Sequence, residues 1–200
     1  MSQQYFAEHP AAQHRPGSVH LVTPDLHLEL ETDSGMFSPS RLDPGTRLLL
    51  DTAPPPPARG NVLDLGTGYG PLALVLAARS PGAQVWAVDV NTRALELCTR
   101  NAERAGLANV HCVAPGDPAL PAAFGLIWSN PPIRIGKAAL HELLAGWLAR
   151  LAPDGAAYLV VQRNLGSDSL QRWLEDSGWA TERFAARSGY RVLRVAGVNR

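Results

Sequence analysis

Hydrophobic and polar positions follow two different periods along the chain. After a polar stretch rich in His, Gln, Pro and Gly over residues 1–17, Val19 and Leu21 alternate with polar residues, as do Leu26, Leu28 and Leu30 beyond a Thr-Pro-Asp turn. Period-two alternation predicts a β-hairpin with one buried face. In RLDPGTRLLLDTA, Asp43 stands as an N-cap before Pro44 at the first helical position, which predicts a short helix through Leu50. The run Pro54–Pro57 excludes helix and interior strand and makes a stiff linker. From Asn61 onward short apolar strands (NVLDLG, QVWAVDV, NVHCVA, FGLIWSN, AAYLVVQR) are interleaved with helical segments. The helices are PLALVLAAR, NTRALELCTRNAERAG, KAALHELLAGWLARLAPDG and SLQRWLEDSG, the third running on to Pro153 and Gly155. This alternation predicts an α/β fold, a doubly wound and mostly parallel sheet covered on both faces. The last two strands, WATERFAARS and YRVLRVAGV, are separated only by Ser188-Gly189, so they form an antiparallel hairpin. The expected organisation is a loosely ordered lead-in over 1–17, a hairpin, helix and linker over 18–57, and one α/β domain over 58–200.

Composition narrows the class. With 200 residues, 46% of them hydrophobic, the chain can bury a sizeable core. No segment approaches the ~18 consecutive apolar residues of a membrane span, and no basic stretch leads into an apolar one at the N-terminus. The two cysteines, Cys98 and Cys112, build neither a disulfide framework nor a four-thiolate metal site, and the six histidines show no ligand spacing. A cytoplasmic protein without a metal or a membrane association is expected. The 18 basic and 18 acidic groups cancel, which argues against non-specific coating of nucleic acid. After residue 130, however, basic groups are in excess.

Ligands of such sheets lie beyond the carboxyl ends of the strands, near the point where strand order reverses. The first strand runs into Asp64-Leu65-Gly66-Thr67-Gly68-Tyr69-Gly70-Pro71, whose glycines allow a tight turn and close approach to a ligand. The spacing is G-x-G-x-G, not the G-x-G-x-x-G of dinucleotide sites, and Asp64 would repel a pyrophosphate. A cationic nucleoside such as S-adenosylmethionine suits that charge. Asp89, ending the second strand, is placed to accept from ribose hydroxyls. Asp117, after the third, is a candidate for an adenine amino group or a simple turn residue.

The fourth strand ends in Ser129-Asn130-Pro131-Pro132-Ile133. The prolines stiffen the backbone and offer carbonyls, and Asn130 adds a side-chain carbonyl. An exocyclic amine needs two acceptors for its hydrogens while its lone pair is aimed at a methyl carbon. Asn130 Oδ1 and the Pro131 carbonyl can supply them, acting through position and electrostatics.

In order along the chain, GMFS, RLDPGT, DLGTGYGP, DVNTRALEL, SNPPIRIGK and LVVQR resemble the class I S-adenosylmethionine-dependent methyltransferases, and among them a single-domain relative of the ribosomal small-subunit RNA guanine-N2 methyltransferase family. The resemblance implies a seven-stranded Rossmann-like sheet with the closing hairpin. It implies S-adenosyl-L-methionine held by Asp64, Gly66, Thr67, Gly68, Gly70, Asp89, Asn91, Asp117 and Asn130, with Asn130, Pro131, Pro132 and Ile133 at the target amine. Larger members carry a second domain before this one. Thr67 stands where Cys or Ser is common, and Gly125 where Asp is usual. Ile133 replaces the aromatic residue of adenine- and glutamine-modifying relatives, as in the guanine enzymes. The base would then stack on Phe37, while Arg134 and Lys137 meet RNA phosphates. Arg183, Arg187, Arg191, Arg194 and Arg200 form an RNA-facing edge or divide between two faces. The expected activity is methylation of guanine in ribosomal RNA or a small-subunit particle. The alternatives are a protein glutamine or small-molecule amine as substrate, and a non-catalytic RNA-binding or ribosome-assembly module.

Overall fold

The computed structural model describes residues 15–34, 38 and 40–196. β1 (Pro16–Val22) and β2 (His27–Asp33) pair antiparallel, with Leu21 opposite Leu28 and Val19 opposite Leu30. α1 (Pro44–Thr52) begins as the proline and its preceding carboxylate dictate, with Asp43 accepting from the Thr46 N–H at 2.8 Å. The alternating region supplies β3 (Gly60–Leu65), α2 (Pro71–Arg79), β4 (Ala83–Val88), α3 (Thr92–Arg104), β5 (Val110–Val113) and β6 (Phe124–Ser129). It continues with α4 (Lys137–Leu148), β7 (Leu151–Gln162), α5 (Ser167–Asp176), β8 (Thr181–Arg187) and β9 (Tyr190–Ala196).

Seven strands form one sheet in the order β5-β4-β3-β6-β7-β9-β8, and β9 alone runs against its neighbours. The turn between β8 and β9 has Ser188 and Gly189 at φ 51° and 82°, the left-handed pair that a two-residue hairpin needs. One face of the sheet packs on α1, α2, α3 and the hairpin, joining Leu21, Leu30, Leu49, Val75, Leu97 and Trp128 in a common core. The other face packs on α4 and α5 through Leu63, Ile127, Leu144, Leu174 and Leu193. The hairpin and α1 are thus walls of the same body as the sheet.

One boundary differs from the sequence expectation. The helix expected to reach Gly155 stops at Leu148, and Leu151 pairs with Phe124 at the start of β7. The Phe124 N–H takes the Arg150 carbonyl at 2.8 Å, and the Arg150 guanidinium lies over the Phe124 and Trp147 rings at 5.4 and 5.0 Å. These contacts draw the chain into the sheet a turn early, and the register irregularity between Phe124 and Leu126 absorbs Pro153. Among the described residues no helix is long and apolar enough to cross a membrane.

Strand order reverses between β3 and β6. Their carboxyl ends are tied by the Ser129 hydroxyl, which donates to the Leu65 carbonyl at 2.7 Å. The crevice above this tie is where the sheet offers a ligand site.

Candidate active site

Asp64 lies on β3 one residue from the strand's end and is buried. Its Oδ2 accepts from Thr67 Oγ1 at 2.7 Å and from the Ala73 N–H at 3.0 Å, while its Oδ1 has no hydrogen-bond partner among the described residues. Burial pushes its pKa up to about 7, and the charge of Asp89 pushes the same way against the two hydrogen bonds. A half-satisfied carboxylate inside the protein favours a neighbouring cation. The loop's amides tell the same story. Gly66 and Thr67 donate to the Val88 carbonyl at 2.8 and 3.0 Å, Gly68 to Asp89 Oδ2 at 2.9 Å, and Gly70 to the Thr67 carbonyl at 3.0 Å. α2 opens with a proline, and Asp64 already occupies its Ala73 donor. The anion site that a pyrophosphate would use is therefore filled by the protein's own acceptors.

The three glycines divide by function. Gly66 and Gly68 have φ of 77° and 54°, and a Cβ on either would meet nothing within 4 Å, so open space lies over this part of the loop. Gly70 is different: a Cβ there would come within 2.7 Å of Cys98 Sγ and of Leu74 Cδ1. It serves close packing of the loop on α3. Thr67 also turns inward, buried against Asp64 and Cys98, with its amide engaged. It acts on the site by holding Asp64.

Asp89 follows β4, with Oδ2 on the Gly68 N–H and Oδ1 on the Asn91 N–H at 3.0 Å. Each oxygen retains a lone pair, and a diol presented there would be received by a carboxylate already held in place. Asn91 is buried as the N-cap of α3, accepting from Arg93 and Ala94. The structure thus shows the helix-starting role that the sequence also assigned it. Asp117 Oδ1 accepts from the Ala119 N–H at 2.8 Å, closing its own turn, and its other oxygen has no hydrogen-bond partner among the described residues. Taken together, an uncompensated carboxylate, a glycine cradle open to a ligand and a fixed diol acceptor fit S-adenosylmethionine, the cofactor the sequence implies.

Asn130 follows β6 directly. Its Nδ2 donates to Asp43 Oδ1 at 2.8 Å and to Thr46 Oγ1 at 3.1 Å, so α1 holds the amide. Its Oδ1 has no hydrogen-bond partner among the described residues and is not sealed from solvent. Pro131 is buried, and its carbonyl accepts from the Ile133 N–H at 2.8 Å around Pro132 at φ −75° and ψ 72°, an inverse γ-turn. One lone pair of that carbonyl is left for a second amine hydrogen. Ile133 leans on the core beneath α4.

Around this mouth, Arg134 and Lys137 are exposed, and neither has a carboxylate within 4.0 Å among the described residues. The arginines of the last strands differ. Arg183 and Arg191 meet Asp168, Arg187 meets Asp51, and Arg194 meets Glu182. Four of the five arginines that the sequence offered either as an RNA-facing edge or as divided between two faces are thus engaged in ion pairs. Phe37 and Arg200 lie outside the described residues. Tyr190, at the start of β9, stood out in the sequence only as an aromatic among the closing arginines, yet its ring lies against Gly45, where a Cβ would be 2.7 Å from Cδ1. Asp43 carried only the signal of a helix cap.

Comparison with known proteins places this geometry. Residues 27–194 match the model of the methyltransferase small domain family. The chain is 32% identical to an uncharacterized protein of Bacillus subtilis, YbxB, over 98% of both. It is 31% identical to ribosomal RNA small subunit methyltransferase C of Shewanella amazonensis, over 80% of this chain and 47% of that one. A Thermus thermophilus 16S rRNA N2-guanine methyltransferase, solved with AdoMet and guanosine, superposes with a TM-score of 0.76 at 27% identity. The match covers 91% of this chain and 50% of that one. The chain therefore spans nearly all of the Bacillus protein and about half the length of the ribosomal RNA methyltransferases it matches.

Proposed function

This chain belongs to the methyltransferase small domain family, and on that premise we propose that it methylates the exocyclic amine of a guanine in small-subunit ribosomal RNA. S-adenosylmethionine supplies an electrophilic methyl group on a sulfonium. Asp64, Gly66, Gly68 and Asp89 would hold it, Asp64 through charge and Asp89 through the ribose hydroxyls. Asn130 Oδ1 and the Pro131 carbonyl receive the two hydrogens of the amine, which frees its lone pair from the ring and aims it at the methyl carbon. Catalysis then lies in orientation and in the dipoles already fixed around the amine. The single observation that carries the reading is Asn130, anchored through its nitrogen with its oxygen left unpaired at the end of β6. RNA as the carrier of the amine is supported by the unpaired Arg134 and Lys137 beside it and by the named activity of the relatives.

The test is nucleoside mass spectrometry of small-subunit ribosomal RNA from cells with and without the protein, joined to transfer assays on Asn130→Ala. The expected result is one N2-methylguanosine that disappears with the protein. The variant should bind S-adenosylhomocysteine about as well as the wild type and transfer methyl at least ~100-fold more slowly. Label entering protein instead of RNA, or wild-type turnover by the variant, would overturn the assignment.

A further inference from the structure

We infer that Asp43, besides capping α1, is a positioning residue that sets the orientation and polarity of Asn130; this rests on the amine-binding role proposed above. Asp43 is buried, and a single carboxylate oxygen accepts both the Thr46 N–H and Asn130 Nδ2, each at 2.8 Å. A carboxylate cannot donate, so the amide has one allowed orientation, nitrogen toward α1 and oxygen away from it. The flipped amide would set Oδ1 against the carboxylate and offer an NH2 group to an incoming NH2 group. Thr46 Oγ1, at 3.1 Å from the same nitrogen, is the second anchor. Charge adds to orientation: an amide whose N–H groups point at an anion carries more negative charge on its oxygen, which makes Oδ1 a stronger acceptor.

Capping does not require this arrangement. Ser or Asn would cap α1 comparably, and the charge of Asp43 adds only the modest attraction of an anion to the helix dipole; the Asn130 contact has no part in the helix. The contact joins residues 87 apart in the chain. The backbone at the anchor also has little room to shift, because a Cβ at Gly45 would lie 2.7 Å from Tyr190 Cδ1 and 3.0 Å from Asp43 Oδ1. The N-terminal helix thus serves the active site through one carboxylate.

Three variants separate the roles. Asp43→Ser keeps a cap but is too short to hold Asn130, Asp43→Ser with Thr46→Val removes both anchors, and Asp43→Asn keeps an acceptor without the charge. The measurements are thermal melting, S-adenosylhomocysteine affinity, methyl transfer to immature small-subunit particles, and the side-chain amide signals of Asn130 in 15N-labelled protein, assigned by their loss in Asn130→Ala. Asp43→Ser should melt within a few degrees of the wild type and bind S-adenosylhomocysteine within about threefold. Its transfer should fall about 30-fold or more, in kcat rather than in KM, with the double variant lower still. Asp43→Asn should recover to within about tenfold of the wild type. The Asn130 amide protons, ordered in the wild type, should exchange freely with solvent in Asp43→Ser. If that variant transfers methyl within about threefold of the wild type, or leaves the Asn130 signals unchanged, the positioning role falls. If the signals loosen as expected while the wild type methylates no RNA, the positioning role stands and the RNA assignment falls.

Discussion

Asp64 joins two demands that conflict. Its buried carboxylate has a folded-state pKa of about 7 against 3.8 for the free group, so between these values the folded state holds a proton that the unfolded chain releases. Stability contributed by this residue is therefore present at low pH and is lost as pH rises through about 7. Asn in its place can still accept from Thr67 and the Ala73 N–H without carrying charge. Asp64→Asn should raise the melting temperature of the cofactor-free protein by several degrees at pH 8, and by little at pH 4, on the order of 2–4 kcal/mol at the upper end. Affinity for S-adenosylmethionine should fall in the same variant, so stability and function move in opposite directions. Melts across this pH range decide the matter: a gap between the two proteins that is the same at both ends would show that Asp64 does not titrate as its burial implies.

At the level of elements, the hairpin of β1 and β2 is joined to the cofactor loop through one side chain of α3. Asn101 is buried; its Nδ2 donates to the Glu31 and Tyr69 carbonyls at 3.0 and 2.9 Å, and its Oδ1 accepts from the Glu31 N–H at 2.7 Å. Arg100 and Arg104 add exposed ion pairs to Glu31, which contribute little beside it. Asn101→Ala would strand the Tyr69 carbonyl in the interior at about 1–3 kcal/mol and leave the half-buried Glu31 N–H and carbonyl without their partner. Hydrogen exchange should show residues 16–33 losing protection while β3, β4 and β6 keep theirs; unchanged protection in the hairpin would mean that apolar packing of Leu21 and Leu30 alone holds it. The existence of these elements was legible from periodicity because each is a local matter of which face is apolar, and the cap at Asp43 and the turn at Ser188-Gly189 are local as well. The end of α4 was not legible, since a carbonyl required by a strand 26 residues earlier decides it.

On the scale of the whole molecule, zero net charge conceals an uneven distribution. The arginines of β8 and β9 are engaged in ion pairs, whereas Arg134 and Lys137 stand unpaired beside Asn130 among the described residues. Reversing both, Arg134→Glu with Lys137→Glu, should weaken binding of single-stranded ribosomal RNA and lower the slope of its salt dependence by about 1.5, with melting temperature and cofactor affinity little changed. A slope equal to that of the wild type would place the RNA elsewhere. Asp64, Asp89 and Asn130 were readable as one site because strand order puts their strand ends side by side. Asp43, Tyr190 and the inward roles of Gly70 and Thr67 were not, because each depends on a partner that only the folded chain brings near. The amides of Gly66, Thr67, Gly68 and Gly70, all directed at internal acceptors, are not free to cradle a phosphate, so ATP and NAD should compete poorly with S-adenosylhomocysteine for this loop.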